Sequence, residues 1–247
     1  MRPANKGAFL TLAFVLTSAA SASSQTSGSL PSADVVVAKM MLVDTERRSE
    51  LTGYTALRHY VAVNGDRRAE IVVRVDCTGD GAKQFTMISE NGSNSIRKHA
   101  LYKMLSEERE ASRRESRDGN RITPANYRFT MLGQETLHTG PAYVLAISPK
   151  TENKYLIDGK IWVDAKDSSI VRIEGRPARN PSFWVHDVHF VHTYQRVGQF
   201  WFAALTHTTS EIRIFGPSEL TIDNSDYTLN SSKNRTADTD SLARLVR

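Results

Sequence analysis

Runs of β-branched and aromatic residues, separated by short polar turns, fill the chain over 154–227. Such residues suit a pleated, half-buried surface. Candidate turns between the runs are Asp158-Gly159, Asp167-Ser168-Ser169 and Val197-Gly198-Gln199. The Asp-Gly pair is a strong short-range hairpin signal. This part of the chain therefore predicts a meander of antiparallel strands, and we expect everything upstream to complete or cover its sheet.

Two predicted helices flank three predicted strands in the first half of the chain. Ser32 can cap a helix that begins near Ala33, where apolar residues recur at helical spacing. Because this helix is apolar round much of its circumference, we expect it to be buried against the sheet. A second helix, over about 95–117, is apolar only in its first three turns. Strands are predicted at 54–63, 68–77, 83–89, 127–132, 135–138 and 143–147, with hairpin turns at Asn64-Gly65 and Asp80-Gly81, and Asn91-Gly92 is expected to end the third strand.

The N-terminus has the pattern of a secretory signal peptide over residues 1–22. Two basic residues precede a short apolar run, and an A-x-A site predicts cleavage after Ala22. The apolar run is too short for a permanent membrane anchor, although an uncleaved anchor is the rival interpretation. Residues 23–33 are read as a linker, 34–230 as one domain and 231–247 as a disordered polar tail. We therefore expect an exported, periplasmic protein.

Charge and cysteine content exclude several classes of partner and fold. The net charge of +5 falls to +3 when Arg2 and Lys6 are removed with the signal (5 − 2 = 3). No dense basic stripe with interleaved aromatic residues stands out, so nucleic acid is not an expected partner. Cys77 is the single cysteine, which rules out an intramolecular disulfide, and its strand pattern predicts a buried thiol.

No motif for catalysis, metal or cofactor binding stands out. His186, His189 and His192 are spaced for a strand, so His189 would face away from the other two, and no single metal ion is expected there. Carboxylates such as Asp164, Asp167, Asp223 and Asp226 lie beside predicted turns, where Asp is favoured for its local hydrogen bonds. We predict no catalytic residue, no metal and no cofactor.

The stretch YLIDGKIWVDAKDSSIVRIEG at 155–175 resembles outer-membrane lipoprotein-sorting proteins of the LolA-like superfamily. The runs SFWV, FWF and EIRIFG further on, at 182–185, 200–202 and 211–216, are similar to the same group. So is the order of signal peptide, helix, three strands, helix and strand meander. The resemblance implies an α+β fold in which a strongly curved antiparallel sheet forms an unclosed β-barrel, with helices covering its concave face. No binding arginine of the family is assigned to a particular Arg here.

The resemblance also implies a function, which is to carry lipids or lipoproteins across the periplasm with their acyl chains in an apolar hollow. We expect a non-enzymatic monomer that binds acyl chains and meets delivery partners at the inner and outer membranes. The expected lining comprises Ile71, Val73, Val75, Phe85 and Met87 on the sheet, and Met40, Leu101, Met104 and Leu105 on the lid helices. The alternative for each of these residues is ordinary core packing without room for cargo.

Two other functions stay open at this point. An envelope stress sensor could use the same hollow to detect stray lipoproteins and signal through a partner protein. The third hypothesis is a hydrolase of envelope material on a β-rich scaffold. Such an enzyme would need polar groups that converge in the cavity.

Overall fold

The computed structural model of the chain describes residues 29–113 and 118–230. The predicted signal peptide, most of the predicted linker and the predicted tail lie outside these residues. The helical elements are α1 (Ala33–Glu50), α2 (Asn94–Ile96), a π-helical turn (Arg97–Leu101), α3 (Tyr102–Ala111) and a 3-10 turn (Asp118–Asn120). The strands are β1 (Gly53–Asn64), β2 (Arg67–Thr78), β3 (Lys83–Gly92), β4 (Tyr127–Leu137), β5 (Gly140–Pro149), β6 (Ile157–Asp164), β7 (Ile170–Pro177), β8 (Val185–Val197), β9 (Phe200–Ile212) and β10 (Gly216–Leu229).

All ten strands form one antiparallel sheet that does not close. Their order is β3-β2-β1-β10-β9-β8-β7-β6-β5-β4, so nearly every strand pairs with its neighbour in sequence. The exceptions are β3 and β4, which are the two edges, and the pairing of β1 with β10 joins the first three strands to the meander. The predicted fold class, an unclosed antiparallel barrel with helices, is confirmed.

Both helical segments cover the same face of the sheet, with α3 near the β3 edge and α1 near the β4 edge. A row of cross-strand partners crosses the sheet from Tyr60 on β1 through Ile222, Thr206 and His192 to Ile173 on β7. Directly paired residues point to the same face. Tyr60 belongs to the core under α3, and Ile173 to the core under α1. The middle of the row therefore lies between the two helical covers, and we call this side the inner face.

Helix α1 is fixed at its start by the predicted cap. Ser32 has an extended backbone, and its Oγ accepts a hydrogen bond from the Val35 N–H at 3.4 Å. Val36, Val37 and Met40 are buried against the inner face of β4–β7, while Val35 and Leu42 are exposed. The helix thus buries one stripe over the sheet, as its apolar spacing predicts.

The second helix is shorter than predicted and is interrupted. Its helical part ends at Ala111 instead of near Arg117, and a π-helical turn over Arg97–Leu101 precedes α3. Past Ala111, the chain turns so that the Ser112 hydroxyl accepts a hydrogen bond from the Lys83 N–H at 3.0 Å. This contact ties the end of α3 to the edge strand β3. Residues 114–117, at the predicted end of the helix, lie outside the described residues.

The turn predicted at Asp158-Gly159 is wrong, because both residues lie inside β6. Gly159 pairs with Gly175 on β7, and a β-carbon on Gly159 would lie 2.1 Å from the Glu174 carbonyl oxygen. This glycine thus permits close approach of two strands instead of a turn. Strands predicted at 127–132 and 135–138 are likewise one strand, β4, with an irregularity between Met131 and Gly133. The predicted turns at Asp80-Gly81 and around Ser168 and Gly198 are confirmed, and the last two residues have positive φ. The β1–β2 hairpin turns at Gly65 and Asp66, one residue beyond the predicted pair. Asn91-Gly92 ends β3, as predicted.

Candidate functional site

A cavity of about 520 Å³ lies between the C-terminal half of α1 and the middle strands of the sheet. This volume is in the range typical of small-molecule sites. Its walls come from α1 and the turn after it, from β1, β8 and β9, and from the loops around residues 122 and 169. The apolar part of the lining consists of Met40, Met41, Leu51, Tyr54, Cys77, Ile122, Ile170, Tyr194, Phe200, Trp201, Phe202 and Ala203.

Aromatic rings pack together at one end of the cavity. The Phe202 ring stacks on Tyr227 at 4.7 Å and meets the edge of Tyr54 at 4.8 Å. These residues form a small core of their own with Ala56 and Cys77. Burial raises the pKa of Tyr54 and of Tyr227 above the ordinary tyrosine value, so both phenols stay neutral. A ligand at this end would therefore meet rigid, uncharged rings.

Charged side chains of α1 line the cavity, and each has a partner of opposite charge. Asp44 accepts hydrogen bonds from Arg48 Nε at 2.9 Å and from Arg121 Nη2 at 2.6 Å. Arg47 lies 3.4 Å from Asp167, which also accepts a hydrogen bond from the Trp201 indole at 2.8 Å. Burial works to raise the pKa of Asp167, but the Trp201 hydrogen bond and the other donors outweigh it and lower that pKa. The pairs anchor α1 to the loop around residue 121 and to the β6–β7 turn.

A second group of charges lies beneath α3 on the inner face. Arg58 on β1 is 7 % exposed, and its Nη1 donates to both carboxylate oxygens of Glu108 at 2.7 and 2.8 Å. The same nitrogen lies 3.2 Å from the Tyr60 hydroxyl, and Lys83 Nζ lies 2.7 Å from Glu108. Burial works to raise the pKa of Glu108, but Lys83 and Arg58 outweigh it and lower that pKa to about 2. Glu108 is therefore ionised, and its α3 is held to β1 and β3 at once.

His192 lies on the floor between these two charged groups and also lines the cavity. Its Nδ1 is 2.5 Å from the Thr206 hydroxyl, and its ring meets the edge of Tyr194 at 4.8 Å. Burial, with help from the positive charges of Arg58 and Lys83, lowers the pKa of His192 to about 4. The imidazole is therefore neutral near pH 7, and the cavity floor carries no charge there.

The residues predicted to bind lipid fall into three different places. Five are fully packed in one core under α3, and Phe85 and Met104 lie partly buried against it. Met87 is 40 % exposed on β3, and Met40 belongs to the separate core under α1. Of the nine, Met40 alone lines the cavity. The five in the core are Ile71, Val73, Val75, Leu101 and Leu105.

Sequence reasoning missed the residues that line the cavity from β8 and β9. The aromatic run Phe200-Trp201-Phe202 predicts a strand only, and no pattern in the sequence singles out Tyr194. The pairing of β8 with β9 is irregular between His192 and Tyr194, and both strands contribute to the cavity lining there. No pattern in the sequence predicts that irregularity. The buried pair of Arg58 and Glu108 was missed for a different reason, because its members are 50 residues apart.

Within residues 29–113 and 118–230, no cluster of three or more His, Cys, Asp or Glu side chains is placed to hold a metal ion. No helix among these residues is long and apolar enough to cross a membrane. Cys77 is buried, as its strand pattern predicts.

No protein-family model matches the chain. No curated protein matches it either. Solved structures do match. A DUF1329 family protein from Desulfovibrio piger has a TM-score of 0.43 at 12% identity, with 82% of this chain and 95% of that chain covered. A proposed outer membrane lipoprotein-sorting protein domain from Vibrio parahaemolyticus has a TM-score of 0.40 at 14% identity, covering 79% and 94%.

A LolA superfamily protein from Nitrosomonas europaea has a TM-score of 0.37 at 10% identity, covering 82% of this chain and 95% of that chain. The solved structures that the chain resembles thus include lipoprotein-sorting and LolA superfamily proteins, the group that its sequence resembles.

Proposed function

We propose that this chain is a periplasmic carrier that binds acyl chains of lipids or lipoproteins in the cavity beside α1 and moves them toward the outer membrane. The observation that carries the proposal is the cavity itself, which is about 520 Å³ in volume and lined largely by apolar side chains. Burying an acyl chain is favourable by about 0.8 kcal/mol per CH₂ group. A dry apolar hollow of this size is what such a ligand requires.

The polar groups around the cavity support binding rather than catalysis. Asp44, Asp167 and Glu108 are each engaged by cations, and the pKa values of Asp167 and Glu108 are lowered. A general acid or base would need a pKa nearer the working pH. We infer a non-enzymatic role on this ground.

The two helical covers differ in a way that fits capture and release. The C-terminal half of α1 lies over the cavity and is joined to the loops by partly buried ion pairs, whereas its first half packs on the core of β4–β7. Helix α3 lies on a fully packed core and is held by the buried pair of Arg58 and Glu108. We therefore assign the cargo's first contact to the C-terminal half of α1. Of the nine residues predicted from the sequence, those in or against the α3 core would extend the site only if α3 lifts.

Export through a signal peptide over residues 1–22, cleaved after Ala22, belongs to the same proposal. So do action as a monomer and exchange of cargo with delivery partners at the inner and outer membranes. The sensor alternative would use the same cavity, but none of the contacts described above favours it.

The test is to purify the protein after export and to analyse extracted lipids by mass spectrometry, next to a matched sample of a cavity-filled variant. Ala203→Phe is suitable, because Ala203 lines the cavity and a larger ring there would occupy it. We expect lipid or lipoprotein from the unaltered protein and much less from the variant. Recovery of none from the unaltered protein, after exposure to envelope extract and to lipid mixtures, would count against the carrier function.

A further inference from the structure

Four large apolar side chains protrude from two neighbouring loops at one end of the sheet. Phe183 and Trp184, which precede β8, are 69% and 53% exposed. Ile214 and Phe215, in the β9–β10 hairpin, are 70% and 58% exposed. We call these four residues the aromatic tip. Single exposed apolar residues need no explanation, but a cluster of this size marks an interaction site.

The aromatic tip is held in place by specific contacts between its two loops. Arg213 Nε donates to the Phe183 carbonyl at 2.7 Å, and its guanidinium lies 4.3 Å from the centre of the Phe183 ring. The Arg213 N–H also donates to the Trp184 carbonyl at 3.0 Å. On the other side, Asn64 Nδ2 donates to the carbonyls of Phe215 and Pro217, each at 3.0 Å. The backbone that presents these side chains to solvent is thus fixed by hydrogen bonds.

The charged residues of the two loops are all basic. Residues 178–184 and 212–218 contain Arg179 and Arg213 and no acidic residue. Both arginines are exposed. A basic residue near an anionic bilayer contributes about 1 kcal/mol of attraction, and aromatic side chains favour the interface between headgroups and acyl chains. The combination of rings and arginines on a protruding end matches the chemistry of such an interface.

We propose that the aromatic tip inserts into the surface of a bilayer that contains anionic lipids. A protein partner is the less favoured occupant, because the four side chains are 53–70% exposed and protrude from the loops. A bilayer accepts such side chains without a matching surface.

The tip and the cavity lie at opposite ends of the strands. β8 begins at Val185, next to the tip, and ends at Val197, close to Phe200 in the cavity lining. Docking by the tip would therefore leave the cavity end directed away from the bilayer. This inference goes beyond the carrier function, and it can hold or fail independently of acyl-chain binding.

The test is sedimentation with vesicles in which about a third of the lipids are phosphatidylglycerol and the rest phosphatidylcholine. We expect protein purified after export to bind these vesicles, with a blue shift of tryptophan emission and weaker binding at high salt. The double variant Ile214→Ser, Phe215→Ser keeps Trp184 and Arg213, and we expect it to bind about tenfold more weakly. Leu132→Ser, at a 52% exposed position on edge strand β4, is the matched control and should bind as the unaltered protein does.

Two outcomes would overturn the inference. The first is that the unaltered protein does not bind the vesicles, or that the double variant binds them equally well. The second is that the unaltered protein forms a complex with itself or with another protein and that the double variant does not. In that outcome, vesicles would not compete with formation of the complex. Acyl-probe binding, measured in parallel, should be the same for the unaltered protein and the double variant, so loss of membrane binding would not be confused with loss of cargo binding.

Discussion

Arg58 and Glu108 form a two-pronged ion pair beneath α3, with Nη1 at 2.7 and 2.8 Å from the two carboxylate oxygens. It joins the central part of the sheet to the second helical cover. Because Arg58 is 7 % exposed, removing its partner would leave a buried charge. Lys83 also contacts Glu108, so the carboxylate serves two cations at once.

Breaking this pair should destabilise the fold strongly. For Glu108→Gln we expect a loss of about 3 kcal/mol in the free energy of unfolding, because the Arg58 charge stays buried. For Arg58→Met we expect a smaller loss, since Glu108 keeps its contact with Lys83. Urea denaturation measures it. The control is Arg176→Met, which removes an exposed pair with Asp158 and should cost less than about 1 kcal/mol. Equal losses for the buried and the exposed pair would contradict this account of α3.

His192 should make the protein less stable as the pH falls from neutral. Its pKa is about 4 in the folded chain and about 6.5 when unfolded, so the unfolded state binds more protons between these values. Stability should therefore decline from about pH 6.5 down to about pH 4, by up to about 3 kcal/mol. Glu108, whose folded pKa is about 2, adds a further loss at lower pH, from its unfolded pKa of about 4.5 downward.

The measurement is the free energy of unfolding at a series of pH values for the unaltered protein and His192→Gln. We expect the variant to lose most of the decline between pH 6.5 and 4. His207→Gln, at an exposed position on β9, is the matched control and should leave the decline in place. A decline that persists in His192→Gln would show that other groups cause it.

Gly159 should tolerate no side chain. A β-carbon there would lie 2.1 Å from the Glu174 carbonyl oxygen and 2.6 Å from the Gly175 α-carbon, so β6 and β7 would have to separate. For Gly159→Ala we expect a loss of at least about 2 kcal/mol in the free energy of unfolding. Gly119→Ala is the control, because no atom lies within 4 Å of the added carbon. Similar thermal midpoints for the two variants would contradict the close approach of β6 and β7.

Local signals in the sequence predicted most elements of the fold. The Ser32 cap, the Asn64-Gly65 hairpin and the Ser168 and Gly198 turns are each decided by residues close together in the chain. Asp158-Gly159 failed because the same dipeptide also suits two strands that approach closely, and only the pairing with Gly175 distinguishes these cases.

The candidate site was much less predictable than the fold. Period-two spacing placed Ile71, Val73 and Val75 on one face correctly, but it cannot tell a packed core from a cavity wall. That distinction depends on which helix covers which strands, since α3 fills the space over β1–β3 and α1 leaves room over β8 and β9. Tyr194 and Phe202 line the cavity where β8 and β9 pair irregularly, and that pairing depends on residues from two strands.

The central claim is that the cavity beside α1 accepts an acyl chain, and a titration with a fluorescent fatty acid tests it most directly. Ala203 lines that cavity, whereas its neighbour Ala204 lines a second one of about 470 Å³. Because these neighbours line different cavities, Ala203→Phe and Ala204→Phe are a matched pair. We predict saturable binding to the unaltered protein and to Ala204→Phe, and binding at least about tenfold weaker to Ala203→Phe. Absence of binding to the unaltered protein, or equal affinity for both variants, would contradict the account.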